Sequence, residues 1–509
     1  MFLNQTIPPP FTKGWSVIFF GGDVNLGRRT NYNLSEKPFG DLQIMSEADL
    51  RIINLECVVA AQGSQGVNKG ESGPFYYHAR PEQINLLTEA QIDVALTANN
   101  HALDYYEAAL FEQNNYLDRA GILHLGTGKN IEEASRPLFI KVNELIVALF
   151  NVDCTMTPFA ATEDKAGVFY LPQDKPEAWE EFFSKQIADA RKKADVVLVA
   201  PHWGPNGVEE PIEEVKTLGR LLIDCGADAV LGCHSHFLQG VETYKDRPII
   251  YDAGNFLFDV KARLGGAFSI VISKRGVEQI YFVPLLIHRC MISPTNEEQS
   301  IQTRDKFLNF CRKLNTEGII VRNDLIELRF NPPPREERVL DPVELSSSRR
   351  DGEKILPVTN PLPEWTAKKV PDAAQIEPQK LGALKLVGCR IPPDCMTIKR
   401  RQMLYVETWW TLDEPTDKDL RIRILGVPTV ENAMPNFGAG MDHQGCDWEF
   451  PTNRWKPGVI YYERFGLRPP GRKELVTVEM NVEISVLDEK EELGKYIYPT
   501  KIQLQIPNR

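Results

Sequence analysis

Long apolar runs are missing from this 509-residue chain. None reaches the ~18 residues that a bilayer-spanning helix needs, so no membrane-spanning segment is expected. No secretory leader is expected either. MFLNQTIPPPFTKGW has one Lys and three consecutive prolines, and the VIFF after it is too short for a targeting core. Positive charge is in deficit: 58 Lys and Arg against 70 Asp and Glu leave a net charge of -12. That balance argues against a nucleic-acid partner, because no phosphate backbone is steered toward it. The local basic run KRRQ at 399–402 reads as a solvated turn. Nine cysteines are scattered with no CxxC pair among them. Most lie in or beside apolar runs, such as Cys57 in INLECVV, and read as buried free thiols of a reducing compartment. The expected location is cytoplasmic. Histidine is scarce as well, 8 residues in all, and this makes its placement informative.

What is present points to more than one domain. The length exceeds one core, and an apolar content of 42% with 25% charged residues is that of a folded globular chain. From residue 15 to 290, short β-branched or aromatic runs alternate with segments of helical periodicity. Trp15 to Phe20, Leu50 to Asn54, Val94 to Thr97, Leu145 to Phe150, Val196 to Ala200, Ala229 to Gly232 and Ile249 to Tyr251 read as strands. Pro81 to Ala90, Asp104 to Ala120, Ala178 to Lys193 and Ile212 to Cys225 read as helices. This is an α/β pattern with a largely buried sheet. A hairpin turning near Arg275-Gly276, a helix over 297–314 and strand material over 319–330 follow. We place a first domain at 1–330 and a proline-rich linker or strapped surface segment at 331–378. Strands without clear helices at 379–509 suggest a separate antiparallel β-sandwich.

The polar residues of the first domain cluster just after its apolar runs. Asp23 sits in GDVN after VIFF, with Asn25 two positions on. Glu56 ends INLE. Asn100 and His101 follow VALTA, His202 follows VVLVAP, and His234 and His236 flank Ser235 after AVLGC. In α/β folds such positions form the site. Asp23 alone reads as a turn residue, Glu56 as a partner of Arg28, Arg29 or Arg51, and Asn100 or His101 as a helix cap. An extended His234-Ser235-His236 segment would turn both imidazoles the same way. Together these residues make a two-metal hydrolytic site. Imidazole with carboxylate suits Mn, Fe or Zn better than Mg or Ca. Two divalent cations and no organic cofactor are expected.

The order GDVNLGR (22–28), NLE (54–56), ANNHALDY (98–105), HWG (202–204), GADAVLGCHSH (226–236), QGVETY (239–244) and YDAGNFLFD (251–259) resembles the CapA family. That family is linked to bacterial poly-γ-glutamate capsule synthesis and belongs to the calcineurin-like metallophosphoesterase superfamily. The resemblance implies a four-layer sandwich, two central sheets flanked by helices, with a dinuclear site at the sheet edges. It implies that Asp23 and His236 hold one metal, that Asn100, His202 and His234 hold the other, and that Glu56 bridges them. His101 would be the outer-shell catalytic histidine. Arg28 would bind an anionic substrate group and Asn255 would shape the pocket floor. Asn25 stands where superfamily phosphatases carry histidine, so it would be a poor ligand to the first metal. Cys233 and Ser235 replace the histidine and proline of the GHHPH that CapA proteins tend to show.

The expected activity is hydrolysis of a phosphoester or an amide, with His101 protonating the leaving group, on a small-molecule, peptide or polymer substrate of capsule or surface-polymer synthesis. The resemblance leaves two alternatives open: a metal-dependent peptide epimerase, and a non-catalytic polymer- or glycan-binding assembly protein. Residues 442–470 also resemble the β-sandwich appended to some membrane glycosyltransferases and glycan-export components. Trp409, Trp410, Trp448, Trp455, Tyr461 and Tyr462 either stack on sugars there or pack inside the sandwich.

Overall fold

The computed structural model describes residues 13–27, 37–61, 69, 75–260, 262–288, 290–336, 338–357, 359–361, 365–399, 404–429, 436–438, 442–446, 450–467 and 476–505. The chain divides into two compact units, the second of which takes the residues from Pro357 onward and, among the earlier described residues, Lys69 and Phe75.

The first unit has two central sheets. One runs in the order Ile319–Arg322, Leu325–Arg329, Gly276–His288, Arg263–Ser273, Ser16–Val24, Leu50–Leu55, Val94–Leu96, Leu123–Leu125. The other runs Val241–Tyr244, Arg247–Ile250, Ala229–Leu231, Val196–His202, Leu145–Asp153, Leu138–Val142. Strands linked through helices pair in parallel, as Ser16–Val24 does with Leu50–Leu55 and Leu145–Asp153 with Val196–His202. Strand residues on both faces are apolar because both faces are covered. Phe20, Ile52 and Leu96 of the first sheet meet Val147, Leu198 and Leu231 of the second in one buried cluster. On the outer face of the first sheet, Phe19, Ile53 and Ala95 pack with Ile84, Leu87 and Leu117. On the outer face of the second, Val197, Val199 and Val230 pack with Trp179, Phe183, Leu218 and Leu222. This is the four-layer arrangement of helix, sheet, sheet and helix.

The helices follow local signals. Tyr106–Ala120 ends on Gly121 in the left-handed conformation, φ 76. Glu297–Lys313 opens with a capping box between Asn296 and Gln299. Pro176–Arg191 starts on its proline.

Four strands are entered through an aspartate that accepts a backbone N–H of the neighbouring strand. Asp49 takes Val17, Asp93 takes Arg51, Asp195 takes Ile146 and Asp228 takes Val197, each at 2.8–2.9 Å. These carboxylates satisfy donors at the amino ends of the sheets that the ladders leave over.

The proline-rich stretch over 331–378 is more than one element. Residues 335–355 are strapped across the first unit. Arg335 donates to the Asp228 carboxylate, and Ser346 N–H to Phe139 O at 2.8 Å. Ser348 Oγ and Arg350 Nη2 meet Asp93 Oδ1 at 2.6 and 2.7 Å. Ile355 is fully buried in the outer core of the first sheet, and the Asn85 side chain both donates to its carbonyl (2.8 Å) and accepts its N–H (2.9 Å). Thr366–Ala367 and Gln375–Leu381 are already strands of the second unit.

That second unit holds two five-stranded sheets. Leu384, Leu386, Val406 and Trp410 from one pack against Ile422, Ile424, Val482 and Ile484 from the other. Pairing is antiparallel except where Thr397–Lys399 runs parallel to Glu491–Gln505. Trp409, Trp410, Trp455 and Tyr461 are buried, and Tyr462 is half-buried with its hydroxyl on Glu407 at 2.9 Å, so these rings pack inside. Trp448 and most of the KRRQ run, residues 400–402, lie outside the described residues.

If the strap belongs to the first core, Ile355→Ala lowers stability by about 2–4 kcal/mol, read from urea unfolding. An unchanged midpoint would show that the strap only lies on the surface.

Candidate metal centre

The carboxyl ends of the parallel strands of both sheets meet at one place. Asp23 is the next-to-last residue of Ser16–Val24, and Glu56 follows Leu50–Leu55, with Asn54 opposite Asp23 in the parallel register. A tight turn sets Asp23. Gly22 has φ 90, and a Cβ there would stand 2.3 Å from Gly254 O, so only glycine fits. Asn100 and His101 lie in the turns between Val94–Leu96 and Tyr106–Ala120, and His202 ends Val196–His202. Among the described residues, Glu56, His202 and His234 form one group with ligand atoms within 4.8 Å of one another, and Asp23, Glu56 and His236 form a second. Glu56 belongs to both.

The distances show convergence. His202 Nε2 is 3.0 Å from His234 Nδ1 and 2.9 Å from Asn100 Oδ1. Glu56 Oε1 is 3.8 Å from His202 Nε2, and its Oε2 is 3.6 Å from His236 Nδ1. His236 Nδ1 is 3.4 Å from Asp23 Oδ2 and 2.9 Å from Asn255 Oδ1. Donors about 2.0–2.2 Å from a shared cation stand roughly 3–3.5 Å from one another, which is close to this spacing. Charge points the same way. Asp23 and Glu56 are fully buried, and a buried carboxylate is costly without a compensating cation. Burial first, then the neighbouring imidazoles of His234, His236 and His101, holds His202 well below the usual histidine range. It is therefore neutral, the form that ligates. Nitrogen and oxygen donors of this kind fit borderline divalent cations.

His101 stands differently. Its Nδ1 is 2.6 Å from Asp104 Oδ2, its Nε2 faces Glu56 Oε1 at 3.9 Å, and its ring stacks on Tyr77 with centroids 4.1 Å apart. The helix cap is Tyr105, so neither Asn100 nor His101 caps it. Arg51, considered as a partner of Glu56, pairs instead with Asp93 at 3.3 Å. Asn25 Oδ1 accepts the Gly27 N–H at 2.8 Å, which turns that oxygen toward its own backbone. Arg28 lies outside the described residues.

The His234-Ser235-His236 segment is not extended. Both histidines have positive φ, 118 and 64, and the chain bends at Ser235. The reason is Asp252, whose carboxylate accepts Ser235 N–H at 2.6 Å and Gly254 N–H at 2.7 Å and folds the loop over itself. The two imidazoles consequently serve different groups. Burial, then Asp23, Asp252 and Glu56, pushes the Cys233 thiol well above its usual range, so it stays protonated and inert.

Further residues support the centre, and Asn54, Asn99 and Asp104 among them lie within the motifs. Asn54 Nδ2 donates to Asp23 Oδ1 at 2.8 Å and lies 3.4 Å from His202 Nδ1, linking the two sheets. Asn99 Nδ2 donates to Leu55 O at 2.9 Å. Gln173 Oε1 accepts the Gly204 N–H at 2.8 Å and fixes the turn after His202. Asp104 was legible through its spacing three residues after His101. Gln173 had no sequence signal at all.

Residues 17–260, the segment that carries every residue of this centre, match the model of the bacterial capsule synthesis protein PGA_cap. Through this segment the chain is similar to that family. It is 27% identical over 289 residues to the PGA biosynthesis protein CapA of Bacillus subtilis, covering 55% of this chain and 73% of the relative. It is 28% identical over 288 residues to the capsule biosynthesis protein CapA of Bacillus anthracis, covering 55% and 67%. A probable polyglutamine synthesis accessory protein of Mycobacterium tuberculosis is 28% identical over 332 residues, covering 60% and 86%. The family match ends at residue 260, before Pro357.

After reconstitution with Mn or Zn, elemental analysis should find metal in the wild type, and a His202→Ala, His234→Ala double variant should lose it from the first group. Full occupancy in that variant would refute the assignment. Gly22→Ala should destabilise the fold by more than about 1 kcal/mol and lower metal content with it, read by unfolding and elemental analysis on the same preparation.

Proposed function

We propose that the first unit is a metal-dependent hydrolase of phosphoester or amide bonds acting in capsule or surface-polymer synthesis. The observation that carries this reading is the convergence of His202, His234 and Asn100 on one point, joined through Glu56 to Asp23 and His236. Asn100, His202, His234 and Glu56 would hold one divalent cation, and Glu56, Asp23 and His236 another. When bound, such ions supply charge neutralisation at the reacting group. The link to polymer synthesis is supported by relatives named for capsule, PGA and polyglutamine synthesis.

The protein's own residues then divide the work. Asp104 holds His101 by Nδ1 and leaves Nε2 toward the cluster. Nε2 is the atom that would deliver a proton to the leaving oxygen or nitrogen. Tyr77 stacks on the ring and keeps its plane. Asn255 Oδ1 stands 2.9 Å from His236 Nδ1, the nitrogen that faces Asp23 and Glu56, and so adds an oxygen beside that group. Arg28 remains the proposed contact for an anionic substrate group.

The test is a panel of p-nitrophenyl phosphate, its bis ester and γ-glutamyl peptides with the reconstituted protein. Turnover of at least one is expected. His101→Ala should lower that turnover about 10²- to 10⁴-fold while metal content stays unchanged. Metal loss in this variant would make His101 a ligand and overturn its role. Solvent deuterium at a peptide α-carbon without hydrolysis would replace the hydrolase reading with epimerisation.

A further inference from the structure

The loop that carries His234 and His236 is gripped from outside by a cation that the chemistry above does not use. Arg263 opens the strand Arg263–Ser273. One Nη1 donor reaches His236 O at 2.6 Å, and the guanidinium carbon lies 4.1 Å over the Phe237 ring. The side chain is half-buried, and burial lowers its pKa, with Glu209 the charged group acting against that. Among the described residues it makes no ion pair. A half-desolvated guanidinium with one donor committed keeps the rest of its fork for an oxyanion, and both its position and its plane are set beforehand by His236 O and Phe237. It stands within one residue of an imidazole that belongs to the cluster and whose side chain is 13% exposed.

We propose that Arg263 forms an anion subsite at the lip of the metal cluster, which takes a second carboxylate or phosphate of the ligand whose reacting group the cluster holds. This rests on the proposed function for what the cluster holds. The subsite selects substrates with two anionic groups over those with one, because the guanidinium fork matches either oxyanion in a paired geometry.

The experiment is calorimetric titration of the metal-loaded full chain with inorganic phosphate, pyrophosphate, acetate and glutarate. Arg263→Gln should weaken pyrophosphate or glutarate about 10- to 100-fold and change phosphate and acetate by less than about threefold, with metal content unchanged. Arg263→Lys should fall between. Whichever of the two larger ligands responds identifies the second group as phosphate or carboxylate. Equal weakening of all four, no weakening of the larger two, or a wild type without preference for them would overturn the subsite. Each outcome is distinct from failure of the hydrolase reading. A wild type that discriminates through Arg263 but hydrolyses nothing refutes hydrolysis alone, and hydrolysis without that discrimination refutes the subsite alone.

Discussion

Glu56 has no solvent exposure and stands 3.6–3.9 Å from three imidazoles. A carboxylate so placed loses several kcal/mol of hydration. The rest of the first unit is organised around that deficit. Asp23 and Glu56 come from adjacent parallel strands of one sheet, while His202 and His234 come from the other. The compensating centre can therefore exist only where the two sheets end together. Asn54, between Asp23 and His202, is the short polar link that keeps these ends in register.

The opposite ends of the sheets are fixed by a different device. Aspartates at strand entrances, among them Asp93 and Asp228, each take a neighbour's N–H, and these two also receive the arginines of the strap. The strap touches both sheets, at Phe139 of one and beside Asn85 on the outer face of the other. Carboxylates thus appear at both ends of the strands for opposite reasons. At the amino ends they meet arginine and backbone donors, and at the carboxyl ends they lie among the imidazoles and amides of the candidate metal centre.

How much of this was legible depended on range. The strands and helices of the first unit were readable from periodicity because each is buried on both faces or along one stripe. Their ends were less so: Val196–His202 and Leu145–Asp153 run into polar residues that local pattern assigns to loops. The residues of the centre were readable because His is rare here and sits after apolar runs. The bend at Ser235 was not, since it is made by Asp252, seventeen residues away along the chain. The strap was hidden for a similar reason. Proline and charge mark it as surface, but only the distant Asp93, Asp228 and Asn85 show that it is fastened there. Gln173 could be recognised only from the fold.

The left-handed backbone at His236, φ 64, has an evolutionary consequence. Most residues resist that conformation, but asparagine and aspartate tolerate it, and both are a single base change from a histidine codon. Either replacement keeps the bend and still offers an oxygen where the imidazole nitrogen was. Drift at this position therefore tends to leave the loop intact while altering the softness of one donor. A change of donor at this position can therefore occur without unfolding the loop.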